Sequence, residues 1–168
     1  MRWIRKNSDR YSVDPDKIIA CGQSAGGQLA LGTALFHEIN EASDDLAVSP
    51  VPNALVLYSS NVNTLEAWAD ILMGNRRNQI WSVSPYHNLK ANLPPVIAFH
   101  GTADRMVPYW VVQRFRDKTL ELGNQFELIT FEGRRHYLGD VDQEKKIYYD
   151  EDILKMTDNF LKKMDFIQ

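Results

Sequence analysis

The chain has 168 residues, 44% of them apolar, with 19 Lys and Arg set against 22 Asp and Glu. That length builds one sizeable core in a single domain over residues 1–168, and the slightly acidic balance leaves no electrostatic footprint for a nucleic acid. The charged opening MRWIRKNSDRYS lacks the apolar centre of a signal peptide, and no stretch approaches the roughly 18 apolar residues of a membrane span, so the expectation is a soluble, unexported, cytoplasmic chain.

From Trp3 to Tyr11 the pattern suits a short helix, and Val13-Asp14-Pro15-Asp16 is a turn that delivers the chain into the strand KIIAC. The single cysteine, Cys21, excludes an internal disulfide and a thiolate metal cage, and its place within an apolar strand predicts core packing. Residues 25 to 37 are apolar almost all round, which predicts a deeply buried helix. Three more apolar runs follow, NALVLYSS (53 to 60), PPVIAFHG (94 to 101) and QFELITFEG (125 to 133); the last alternates most, as a strand near a sheet edge does. Residues 107 to 122 carry one apolar stripe and stop at Gly123, and Ile153, Met156, Phe160 and Met164 recur at helical spacing. The least regular region is 61 to 93. Strands alternating with helices imply βαβ units, hence a mainly parallel sheet of about four strands flanked by helices in an α/β fold.

Between the first strand and its helix stands Gly22-Gln23-Ser24-Ala25-Gly26, the G-x-S-x-G pattern of a nucleophile elbow, where the turn is so sharp that side chains beside the serine would collide. A glycine-rich turn also suits phosphate binding or plain packing, but the Lys-[Ser/Thr] of a phosphate loop is absent. A nucleophilic serine needs a base, and the base an orienting carboxylate. Asp104 in FHGTADRMVP follows the third strand and His136 in FEGRRHYLGD follows the fourth. In a parallel sheet all strand C-termini open on one edge, so Ser24, Asp104 and His136 can converge there. Each also has a plainer reading, as a packing serine, a turn aspartate and a loop histidine. The other histidines fit less well: His37 sits at a helix end, His87 in the irregular connection, and His100 where packing behind the acid loop is the simplest role.

The segments VDPDKIIACGQSAGGQLAL, SPYHNLKANLPPVIAFHGTADRMVP and ELITFEGRRHYLGD together resemble the α/β-hydrolase fold superfamily, in particular its esterase and lipase group with carbohydrate-esterase and prolyl-oligopeptidase-like relatives. The resemblance covers only the back half of that fold: the four upstream strands and the His-Gly-Gly loop have no counterpart, and Arg134, Arg135 and Tyr137 stand where small residues usually flank the histidine. It implies a truncated α/β-hydrolase domain and a serine ester hydrolase for short acyl esters, acetylated carbohydrates such as xylan among them, acting through a Ser24-His136-Asp104 triad with no cofactor and no metal. The Ala25 N–H would be an oxyanion donor, and Gln23, Asn61 and Tyr137 candidate substrate contacts. The alternatives are an oligopeptidase-type hydrolase and a non-catalytic assembly module with an incomplete oxyanion hole. Because the first strand would lose a neighbour, a homo-oligomer covering its edge is expected.

Overall fold

The computed structural model describes residues 1–36, 38–65, 74–138 and 150–168. Helices α1 (Arg2–Lys6) and α2 (Ser8–Tyr11) lead into β1 (Ile19–Gln23), α3 (Ala25–Leu35), β2 (Ala54–Tyr58), a 3₁₀ stretch (Gly74–Val83), β3 (Val96–Gly101), α4 (Tyr109–Glu121), β4 (Phe126–Phe131) and α5 (Glu151–Lys163). The four strands form one sheet in the order β1-β2-β3-β4, and every neighbouring pair is parallel. All C-terminal strand ends therefore lie along one edge, as the spacing of the apolar runs predicts.

Strand alternation sorts the core into two layers. Leu55 and Leu57 of β2 and Val96 and Ala98 of β3 pack against Leu31 and Leu35 of α3 and Val111, Val112 and Phe115 of α4. Ala54, Val56, Ile97 and Phe99 face the other way, onto Ile153 and Phe160 of α5. All six residues of β3 are buried, whereas β4 buries only Phe126 and leaves Glu127 and Thr130 exposed, which fits a covered interior strand and an edge strand respectively. Helix α4 ends as its sequence predicts, with Gly123 at φ +76 beyond the C-cap Leu122.

Three expectations need correction. The N-terminal helix is two short helices, broken at Asn7, whose backbone N–H (3.1 Å) and side-chain Nδ2 (2.8 Å) both bond Trp3 O and close the first helix. Helix α3 is not buried all round: Ala25 is exposed and Leu29 is 73% exposed, one stripe of the helix facing away from the sheet. Cys21 is exposed rather than packed. It pairs in register with Val56 of the α5-facing layer, but the main sheet contacts of α5 are with β3, and of the β1 residues on that face Ile19 packs against the layer while Cys21 stays exposed. Partial burial still pushes the Cys21 thiol pKa up, so exposure does not make it a thiolate. His37 lies outside the described residues, as do 139–149 before the last helix.

Helix α1 buries none of its side chains and is held by cations instead. The Arg5 guanidinium donates to Pro15 O (3.0 Å), Ser49 O (2.6 Å), Val51 O (3.0 Å) and Asn53 Oδ1 (3.0 Å). The same Asn53 Oδ1 accepts from Ile18 N at 3.1 Å, so Arg5 ties together the entries to β1 and β2. A lysine cannot reproduce this fork. Arg5→Lys and Arg5→Met are each expected to cost about 2 kcal/mol in urea unfolding, the scale of losing charge-assisted bonds at a half-buried site; equal midpoints for mutant and parent would contradict the clamp.

Candidate active site

Strand β1 turns into α3 at Ser24, whose backbone is held at φ 53 and ψ −119. For a residue with a Cβ that conformation costs on the order of 1–3 kcal/mol and persists only when its surroundings fix it. Here they do. Ser24 N donates to Tyr58 O at 2.9 Å, and Ser24 O accepts from Asn61 N (3.1 Å), Gly27 N (3.1 Å) and Gln28 N (3.3 Å). Packing accounts for two glycines: a Cβ on Gly22 would run into the Gly26 carbonyl, and one on Gly27 into the Ser60 side chain. Gly26, the second glycine of the pattern, meets nothing within 4 Å, so the steric reason expected for it belongs to Gly27 instead.

Asp104 lies three residues beyond β3, with its side chain fully removed from solvent. Oδ1 accepts from the backbone N–H groups of Met106 (2.8 Å) and Val107 (3.0 Å), a turn the aspartate makes with its own loop. Oδ2 accepts from His136 Nδ1 at 2.9 Å and lies 3.3 Å from His100 Nε2. Burial pushes the Asp104 pKa up, but the His136 hydrogen bond and charge and the two backbone donors outweigh it and hold the carboxyl below its ordinary value. His136 is itself buried. With Nδ1–H given to the carboxylate, the neutral ring keeps its lone pair on Nε2, the tautomer a general base requires.

The acid and histidine loops are sewn together. Thr102 N bonds Phe131 O at 3.0 Å, Ala103 N bonds Arg134 O at 3.0 Å, and Gly133 N bonds Thr102 Oγ1 at 2.8 Å. Gly101 lies so close beneath this crossing that a Cβ would strike the Arg134 carbonyl. Arg134, two residues before His136, thus supplies its carbonyl to this crossing, while its guanidinium turns away to Asp150 Oδ2 (2.6 Å) and the Phe131 ring. Asp150 in turn caps α5 through Asp152 N at 2.9 Å.

Among the other residues singled out, Gln23 closes β1 and Ala25 opens α3, where first-turn N–H groups lack intrahelical acceptors. Asn61 is a brace behind the elbow: its N–H bonds Ser24 O, its Nδ2 bonds Gln28 Oε1 (3.1 Å) and its Oδ1 accepts from Asn63 N (3.3 Å). Tyr137 is 61% exposed, its ring edge-on to His136 at 5.5 Å. Sequence reasoning missed the Met106 and Val107 donors, the Thr102 stitch and the Gln28–Asn61 pair, because each arises from backbone geometry or from contacts between distant segments. Among the described residues no cluster of three or more His, Cys, Asp or Glu could hold a metal. A hollow of about 320 Å³ lined by Val96, Phe126 and Phe160 lies at the opposite, N-terminal end of the strands.

A strained serine after β1 and a buried Asp–His pair after β3 and β4 share one edge of a parallel sheet, and the model of the prolyl oligopeptidase family matches residues 1–163. The chain belongs to that family. Its fold is that of an α/β-hydrolase: it superposes with TM-score 0.85 and 33% identity on a propionate-bound thermophilic esterase, Est2 of the planctomycete Thermogutta terrifontis, covering 99% of this chain and 62% of that one. It is 30% identical to a probable isoprenylcysteine alpha-carbonyl methylesterase of Arabidopsis thaliana, over 75% of this chain and 31% of that protein. A probable carboxylic ester hydrolase, LipM of Mycobacterium tuberculosis, is 26% identical over 74% of this chain and 33% of its own length. The chain thus spans about a third of these curated relatives and about three-fifths of the solved esterase.

The glycine geometry gives a paired expectation for stability. Gly22→Ala forces a methyl into backbone and should cost about 3 kcal/mol, whereas Gly26→Ala places one in open space within a helix and should leave stability unchanged or raise it by up to about 1 kcal/mol. Chemical denaturation of the two variants checks this, and equal effects would refute the elbow packing.

Proposed function

We propose that the chain carries the catalytic centre of a serine hydrolase for short-chain acyl esters. The observation that carries this reading is the Asp104–His136 pair, a buried carboxylate directing one tautomer of a buried imidazole, at the sheet edge that also presents Ser24. Ser24 Oγ attacks the ester carbonyl carbon while His136 Nε2 takes its proton. The tetrahedral oxyanion is met by the Ala25 N–H at the start of α3, and His136 returns the proton to the departing alkoxide. Water, deprotonated by the same nitrogen, then releases the acid from the acyl-serine. Asp104 stabilises the imidazolium at both stages without accepting its proton.

Short acyl groups are supported by the propionate-bound and butyrate-bound forms of the Thermogutta esterase, and ester chemistry by the methylesterase and carboxylic ester hydrolase relatives. Acetylated carbohydrates are esters of this class and belong in the same substrate series. The family name favours a second reading, an oligopeptidase-type hydrolase; cleavage of prolyl peptides in preference to p-nitrophenyl acetate would select it. A non-catalytic module would fail to react with a fluorophosphonate, which labels only an activated serine.

Ser24→Ala and His136→Ala should each lower kcat on p-nitrophenyl acetate by on the order of 10⁴-fold, with circular dichroism unchanged; retention of more than about a tenth of the parent rate would refute the assignment. Asp104→Asn should also be strongly impaired. Since the Asp104 pKa is held low, the carboxylate stays ionised as the pH falls through the histidine range. Protonation of Asp104 is therefore not expected to set the acid limb of kcat/KM, and a pH–rate profile checks this.

We also propose that two copies associate over the outer edge of β1, where exposed Leu29 and Trp3 offer apolar surface. A partner backbone N–H brought toward Ser24 would complete the oxyanion site. Light scattering should then report a dimer and specific activity should fall on dilution; a fully active monomer at nanomolar concentration would overturn this.

A further inference from the structure

His100 is the last side chain before the glycine on which the histidine loop rests, and it is 1% exposed. In β3 it follows Val96 and Ala98 on the face covered by α4, in register with Thr130 of β4. Its Nε2 lies 2.9 Å from Val107 O. A carbonyl oxygen can only accept, so that nitrogen carries a proton. The same N–H lies 3.3 Å from Asp104 Oδ2, the oxygen that takes the hydrogen bond from His136. One carboxylate oxygen is therefore approached by two imidazoles, one from the histidine loop and the other from the buried strand behind it. Burial pushes the His100 pKa down, more than the Val107 carbonyl and the Asp104 charge raise it, so the ring stays neutral and keeps its single donor where the carbonyl fixes it.

We propose that His100 is a positioning residue for the triad: its Nε2–H, anchored by Val107 O, holds the Asp104 carboxylate in place and shares Oδ2 with His136. The proposal rests on the hydrolase reading above but concerns a residue that makes no contact with substrate. Sharing has a definite consequence. An oxygen approached by two N–H groups is a weaker acceptor toward each, so His100 limits how tightly Asp104 holds the Nδ1–H of His136. The anchor also stiffens the acid loop, because Val107 N donates to Asp104 Oδ1 while Val107 O accepts from His100. The remaining titratable or charged groups facing this cluster are few. Tyr109 of α4 lies 6.1 Å from the His100 ring with its hydroxyl on Thr130 Oγ1, and Arg134, whose carbonyl lies over Gly101, has its guanidinium engaged by Asp150.

The test compares His100→Phe, which keeps a ring and removes the donor, with His100→Gln, whose side-chain amide can return an N–H near the position of Nε2. Rates are normalised to the sites titrated by a fluorophosphonate, so that loss of folded protein does not register as loss of rate. His100→Phe should lower kcat about tenfold with KM little changed, and should move the acid limb of kcat/KM upward by about half a pH unit, because Oδ2 is left entirely to His136. His100→Gln should recover most of the rate and the parent limb. A second readout does not need turnover: in the proton spectrum the His136 Nδ1–H resonance should move further downfield in His100→Phe and return in His100→Gln. A parental rate, limb and resonance in His100→Phe would overturn the proposal, as would equal defects in both variants. If Ser24→Ala stays active while the His136 resonance still responds to His100→Phe, the hydrolase assignment fails and the positioning role stands.

Discussion

A carboxylate taken wholly out of water must be met by donors, or it will not stay charged. Asp104 is such a group, and much of the structure between residues 96 and 138 can be read as the means of satisfying it. Two backbone N–H groups come from its own turn, one imidazole N–H arrives from the loop after β4, and a second approaches from the strand beneath. These donors can converge only if β3 and β4 are parallel and in register, if the chain can cross above Gly101 without a side chain between, and if Thr102 stitches the two loops. The hydrophobic layers on either side of the sheet provide the rigidity and the low polarity that make the arrangement both necessary and strong.

The elbow meets a different demand. Ser24 is placed by backbone strain rather than by charge, and the strain is borne by ordinary hydrogen bonds to Tyr58, Asn61, Gly27 and Gln28. All four of these partners sit outside the five-residue pattern. The motif marks where the turn is, while the end of β2, the residues just after it and the first turn of α3 hold it there. The helix that follows buries one face, Ala30, Leu31, Ala34 and Leu35, in the core and leaves the stripe through Ala25 and Leu29 exposed.

Much of this was legible in the sequence. Apolar runs and their spacing located all four strands within a few residues, and Ser24, Asp104 and His136 stood out because strand ends in a parallel sheet share an edge. What escaped was set by distance in the chain. The exposure of Cys21 depends on where α5 lies, more than a hundred residues later. The separate duties of Gly26 and Gly27 depend on the Ser60 side chain, and the arginine beside His136 makes sense only once Asp150 and Phe131 are seen to draw its guanidinium aside. For His100 a signal did exist: a histidine four residues before an aspartate at a strand end can turn back onto that carboxylate. Nothing in the strand pattern alone distinguishes such a residue from a core histidine.

The order β1-β2-β3-β4 follows the chain, each strand adding beside the one made before it. During synthesis the segment carrying Ser24 therefore emerges first and the segment carrying His136 last, with Asp104 between them. A partly made chain can form the elbow, yet it holds neither the imidazole that would activate the serine nor the stitched loops that would orient that imidazole. On the proposed hydrolase reading, chemical competence would arrive only when the final strand docks, and a nascent or clipped chain would carry an inert hydroxyl rather than a loose nucleophile.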